Sequence, residues 1–252
     1  MTDMLSFERA GARATITLNR PEKHNALEVD DLPALEELLV RADTEEGLRV
    51  LILTGTGDKS FCSGVAIGDI AGTDWRETPL GRLTARLERV RVPTIAALNG
   101  GVYGGAVDLA LACDFRIGVS GMALSIPPAK LGIAYYAAGC RRLIDRLGLT
   151  AAKRLFLLAD RLDAEELLSI GYLDELVAPD ELALATDRLA VRIEALAPLS
   201  LATIKRVLND IARDTLDEDE AADMVAACFD SEDAREGIAA FAEKRATVFK
   251  GR

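Results

Sequence analysis

Residues 93–108 read Pro93-Thr94-Ile95-Ala96-Ala97-Leu98-Asn99-Gly100-Gly101-Val102-Tyr103-Gly104-Gly105-Ala106-Val107-Asp108. Thr94 to Leu98 is a short unbroken apolar run, the pattern of a strand buried on both faces. Asn99-Gly100-Gly101 closes it with a turn signal. Gly104-Gly105 then opens a helix through about Ala112. A buried strand that feeds a glycine turn and then a helix is the repeating unit of α/β architecture. Glycine also lets backbone approach a ligand and leaves amide N–H groups free. A helix N-terminus adds partial positive charge there.

Outward from this stretch, strands and helices alternate. Ala14 to Leu18 alternates with β-favouring residues and reads as a strand. Leu32, Leu35, Leu38 and Leu39 recur at helical spacing, with Pro33 tolerated in the first turn. Val50 to Leu53 is another buried strand, closed by Gly55 and Gly57. Pro79 to Val90 predicts an amphipathic helix, and Asp114 to Val119 a strand. After Gly139 the pattern becomes helix after helix. Asp163 to Glu166 has the form of a capping box, and Pro198 and Ser231 mark later helix starts. The expected class is α/β through about residue 125, followed by a mostly helical remainder. No internal repeat, low-complexity segment or long linker is visible.

The composition excludes several functions. The 252 residues carry a net charge of −11, with half the residues hydrophobic. No basic surplus exists to neutralise phosphates, so no nucleic-acid partner is expected. Cys62, Cys113, Cys140 and Cys228 are widely spaced, with no CxxC pair. Neither a metal site nor a disulfide framework is expected, and reduced thiols fit a cytoplasmic protein. The N-terminal MTDMLSFERA has no basic or apolar region of a secretory signal. The apolar stretch Val92 to Phe115 contains Asn99, Asp108 and four glycines, so no membrane span is expected.

A second glycine-bearing turn, Phe61-Cys62-Ser63-Gly64-Val65, also follows a buried strand. Two backbone amides aimed at one carbonyl oxygen would make an oxyanion hole. Tight turns and close packing explain the same glycines equally well. Neither turn is a GxGxxG or GxxxxGK[ST] fingerprint, and GxSxG is missing. His24, the only histidine, lies in a polar turn and reads as a surface residue, which removes His-dependent triads.

The ordered series Asn19-Arg20-Pro21…Asn25-Ala26-Leu27, Phe61-Cys62-Ser63-Gly64, Pro93 to Gly100, Gly104-Gly105, Cys113-Asp114, Arg161-Leu162, Gly171-Tyr172-Leu173, Ser231-Glu232-Asp233…Glu236-Gly237…Ala240-Phe241…Glu243-Lys244-Arg245 spans nearly the whole chain. It resembles the crotonase superfamily, the enoyl-CoA hydratase/isomerase family. The resemblance implies a spiral of ββα units over residues 1–197 and a helical oligomerisation region over 198–252. It implies an acyl-CoA thioester as substrate, with coenzyme A as part of the substrate and no separate cofactor. The assembly it implies is a homotrimer or a dimer of trimers.

Carried over residue by residue, the oxyanion amides belong to Val65 and Gly105, on turns that also contain Gly64 and Gly104. Lys23, Ala26 and Leu27 fall where the family holds CoA. Phe241 and Lys244 fall where a neighbouring subunit meets it. The first family glutamate corresponds to Asp108, which is one carbon shorter, about 1.5 Å less reach. Asp108 also reads simply as an anion stabilising the first turn of a helix. The second glutamate corresponds to Pro128, which cannot titrate, so two-carboxylate hydration is not expected. The stretch from Pro128 to Tyr136 has its own resemblance to the methylmalonyl-CoA decarboxylase branch, which carries a tyrosine at the position of Tyr135. That branch has a histidine where this chain has Val65. Tyr135 also reads as a core residue with a satisfied hydroxyl. Asp108, Tyr135 and Tyr136 are the short list for proton handling.

Overall fold

The computed structural model describes residues 4–66 and 78–252; the first three residues of the N-terminal MTDMLSFERA stretch lie outside them. Strands β1 (Leu5–Ala10) and β2 (Arg13–Leu18) form an antiparallel hairpin, followed by helix α1 (Asp31–Thr44). Three units of one plan come next. Strands β3 (Val50–Gly55) and β4 (Ser60–Cys62) precede α2 (Pro79–Glu88). Strands β5 (Thr94–Leu98) and β6 (Gly101–Tyr103) precede α3 (Gly105–Leu111). Strands β7 (Phe115–Val119) and β8 (Ala123–Ser125) precede α4 (Ala137–Lys153, broken at Gly148). A π turn, Arg154–Leu158, then leads to β9 (Arg161–Asp163), α5 (Ala164–Ser169) and β10 (Glu175–Val177).

In each unit the first strand joins one sheet and the second joins another. The six-stranded sheet runs β1-β2-β3-β5-β7-β10, and the four-stranded sheet runs β4-β6-β8-β9. This is the ββα spiral expected from the sequence. Parallel pairing requires a crossover between neighbouring strands, and α2 and α3 supply it. Every residue of β5 is buried, as its apolar run predicts.

The helical remainder is less uniform than the sequence reading has it, because β9 and β10 interrupt it. Three-residue strands are too short to show a period of two. The predicted caps are present. Asp163 and Glu166 form a reciprocal capping box on α5. After α6 (Leu182–Glu194), Pro198 is the first residue of α7 (Pro198–Arg213). Helix α8 (Glu218–Phe229) precedes α9 (Glu232–Glu243), which Ser231 caps. Among the described residues no helix is long and apolar enough to cross a membrane.

Candidate active site

Strands β4, β6 and β8 lie side by side and parallel, with Ser60 opposite Gly101 and Tyr103 opposite Ser125. Their C-terminal ends therefore open at one edge of the sheet, the place where parallel sheets present ligand sites. The turn after β4 carries Gly64 and Val65, the turn after β6 carries Gly104 and Gly105, and the segment after β8 carries Pro128, Tyr135 and Tyr136. Two stretches about forty residues apart in sequence become neighbours through strand pairing alone.

The first two turns are in contact. A Cβ built on Gly64 would stand 2.9 Å from the Tyr103 carbonyl oxygen and 3.0 Å from the Gly105 nitrogen. Gly64 has φ +94°, so both its space and its backbone conformation require glycine. Gly104, the N-cap of α3, holds φ 55° and ψ −126°, again a conformation for glycine. Gly105 is the first residue of α3, so its N–H has no acceptor within the helix. On the other turn, Leu27 bridges to Val65 in parallel fashion. Leu27 donates to the Gly64 carbonyl at 2.9 Å, and Ala66 donates to the Leu27 carbonyl at 2.8 Å. That pattern directs the Val65 N–H away from Leu27, and it finds no acceptor among the described residues. The Val65 side chain lies beside Gly105.

The third segment supplies phenols. Tyr135 and Tyr136 stack with ring centroids 4.8 Å apart, and Phe156 lies 4.9 Å from Tyr135. The Tyr135 hydroxyl faces the Gly104 carbonyl at 3.4 Å, a long contact for a hydroxyl donor. The Tyr136 hydroxyl donates to Asp108 Oδ2. Burial, followed by the charges around them, holds both phenols well above their ordinary range. They are therefore hydrogen-bond donors at neutral pH and not bases. Cys62, beside Gly64, is buried with its thiol pushed up to about 12, so it is no thiolate nucleophile.

Asp108 is fully buried on α3. Both its oxygens lie 2.5 Å from Arg142 Nη1. The other edge of the same guanidinium donates to both oxygens of Glu88, at 2.8 and 2.9 Å. Arg213 pairs with Glu88 in turn. Sequence reasoning picked out Asp108 and missed Glu88, Arg142 and Arg213. The available signal was Glu88 directly after Leu87, on the flank of the apolar stripe of α2. Arg142 and Glu88 also line a groove of about 640 Å³ whose wall includes Ile204 and Leu208 of α7. No residue of the paired turns lines it.

The remaining expected residues divide. Ala26 and Leu27 lie on the strip bridged to the Val65 turn, and Lys23 is exposed beside it, 3.3 Å from Glu28. Phe241 and Lys244 lie elsewhere, at the end of α9. Phe241 is 88% exposed, and Lys244 is the left-handed C-cap. Among the described residues neither makes a hydrogen bond or ion pair to the paired turns. His24 is exposed, with Nδ1 3.0 Å from Ser60 Oγ.

The enoyl-CoA hydratase/isomerase family model matches residues 8–252. A crotonyl-CoA hydratase of Syntrophomonas wolfei is 34% identical over 250 residues, covering 96% of each chain. A short-chain-enoyl-CoA hydratase of Clostridium acetobutylicum is 33% identical over 249 residues, covering 95% of this chain and 94% of its own. The crystal structure of an enoyl-CoA hydratase from Bacillus anthracis superposes with a TM-score of 0.88 at 29% identity, covering 99% of this chain and all of the other.

Proposed function

The chain belongs to the enoyl-CoA hydratase/isomerase family, and from that premise we propose that it binds an acyl-CoA thioester and stabilises an enolate through the N–H groups of Val65 and Gly105. The observation that supports this reading is the contact between the two turns, where a Cβ on Gly64 would stand 3.0 Å from the Gly105 nitrogen, together with the lack of an acceptor for the Val65 and Gly105 N–H groups among the described residues. Such preorganised donors act where charge develops in the transition state. Ala26, Leu27 and Lys23 border that edge and are proposed to hold the CoA moiety. The reaction needs no metal in this reading, and CoA enters only as part of the substrate. Four free cysteines fit a cytoplasmic location.

Pro128 follows β8, where the family resemblance expects a second acid, and the nearby phenols are donors. This favours chemistry in which bond breaking itself creates the enolate, as loss of CO₂ does, over two-carboxylate hydration. Incubating the protein with a panel of acyl-CoAs and reading products by mass spectrometry tests the proposal. Hydration adds water, decarboxylation removes CO₂, and isomerisation leaves mass unchanged. Binding without any product would reduce the protein to an acyl-CoA carrier. Loss of turnover on chelation would overturn the metal-free reading.

We also propose assembly through the C-terminal helices as a homotrimer or a dimer of trimers. Ile204, Leu208 and Ile211 fall on one face of α7 and are 55%, 60% and 56% exposed. Apolar positions at that spacing form a stripe with no cover in the single chain. In a trimer, Phe241 and Lys244 would reach a neighbour's CoA. Sedimentation as a monomer at micromolar concentration would overturn the assembly.

A further inference from the structure

Four side chains from four helices form one alternating line of charge: Asp108 on α3, Arg142 on α4, Glu88 on α2 and Arg213 on α7. Arg142 is 6% exposed, Glu88 7% and Asp108 0%, with Arg213 at 19%. One guanidinium joins the two carboxylates, its Nη1 on Asp108 and its Nε and Nη2 on Glu88. Tyr136 occupies Oδ2 of Asp108 from the other side. Arg146 adds a longer contact to Glu88 at 3.7 Å. The Glu88 carbonyl also accepts from Asn209 Nδ2 of α7 at 2.9 Å. Helix α7 is thus fastened to the same residue that fastens Arg142.

We propose that Arg142, Glu88 and Arg213 are positioning residues for Asp108, so that docking of α7 on the core sets how the Asp108 carboxylate is presented to substrate. This rests on the acyl-CoA reading for the word substrate, but the linkage itself does not. Within the line, two carboxylates face the closely paired Arg142 and Arg213, with Arg146 as a third cation at 3.7 Å from Glu88. Removing Arg213 leaves Glu88 with Arg142 and only a longer contact to Arg146, so Glu88 competes with Asp108 for Arg142. The carboxylate of Asp108 is held by Arg142 Nη1 and one phenol, so a shift of that guanidinium moves it. Charged buried partners couple in this way because the interior screens them little.

The sign of the coupling follows from the charges. Arg213→Met in the wild-type protein leaves Asp108 and Glu88 both drawing on Arg142, with Arg146 only at 3.7 Å from Glu88. In the Asp108→Asn protein the same change leaves Glu88 alone on Arg142, again with Arg146 at 3.7 Å. Arg213→Met is therefore expected to lower the urea midpoint strongly in the wild-type background and weakly in Asp108→Asn. Helix α7 stays anchored in both by Lys205, 2.7 Å from Asp114 and 2.9 Å from the Val92 carbonyl. In turnover, Arg213→Met should lower kcat roughly 3- to 30-fold, leave KM within about twofold, and be largely rescued by Arg213→Lys. Equal midpoint losses in both backgrounds, or a raised KM with unchanged kcat, would overturn the proposal. A protein that turns over no acyl-CoA fails the functional reading on its own, and the urea comparison still decides the linkage.

Discussion

Both carboxylate oxygens of Asp108 lie 2.5 Å from a single atom, Arg142 Nη1. The candidate proton-handling group of this site is thus a buried carboxylate paired with a guanidinium, with a phenol as its other partner. Asp108→Asn keeps the shape and removes the charge. Turnover should fall by about 10²–10⁴-fold, the contribution of one positioned acid or base, while CoA binding persists. Steady-state rates alongside calorimetric titration of a CoA thioester check it.

Arg142→Met leaves Asp108 and Glu88 buried without their shared cation. Breaking a buried pair from one side costs about 3–5 kcal/mol. Urea unfolding followed by circular dichroism should show a loss of that size, partly recovered when Asp108→Asn is added. A loss below about 1 kcal/mol would mean that water reaches the pair.

Gly64→Ala places a methyl group 2.9 Å from the Tyr103 carbonyl and 3.0 Å from the Gly105 nitrogen, at φ +94°. The turns must separate, so turnover should fall by at least about 10²-fold, the cost of one lost oxyanion donor. Strain of this kind destabilises by about 1–3 kcal/mol. Rates and melting of the purified variant read both effects. Full activity in Gly64→Ala would remove the paired turns from the mechanism.

Pro128 is buried and opens a short 3₁₀ turn, at the position where the family resemblance expects a second acid. Wild-type hydration of crotonyl-CoA should be poor, because only one carboxylate serves a step that needs two proton transfers. Pro128→Glu with Asp108→Glu should raise hydration at least tenfold, well inside the effect of one positioned acid. The increase in 3-hydroxyacyl product over time checks this. An efficient wild-type rate untouched by Asp108→Asn would contradict it.

Tyr135, Tyr136 and Tyr172 are held above the ordinary phenol value chiefly by burial. In the unfolded chain they ionise near 10. The folded protein then binds more protons than the unfolded chain above that pH. Their stabilisation is complete below pH 10 and declines as pH rises past it. Absorbance at 295 nm should show these three phenols ionising only together with unfolding. Tyr136→Phe should remove one of them from that step.

The sequence by itself determined the alternation of buried strands and helices, the glycine turns, and the helix starts at Asp163, Pro198 and Ser231. Each of these is a local requirement: an apolar run, a positive φ, an oxygen that caps free amides, or a proline whose fixed φ suits the first turn of a helix. The ordered series of family residues identified the spiral and marked Asp108 and Pro128. Tertiary structure alone decided the short strands β4, β6 and β8, because a three-residue strand is specified by its neighbours and not by its own period. The partners of Asp108 were likewise invisible. Arg142 lies 34 residues away from it, and Glu88 lies 54 residues from Arg142. A charge on a helix reads as a solvated face until packing removes the water around it. Only then does the pairing of one guanidinium with two carboxylates become the arrangement that holds the site.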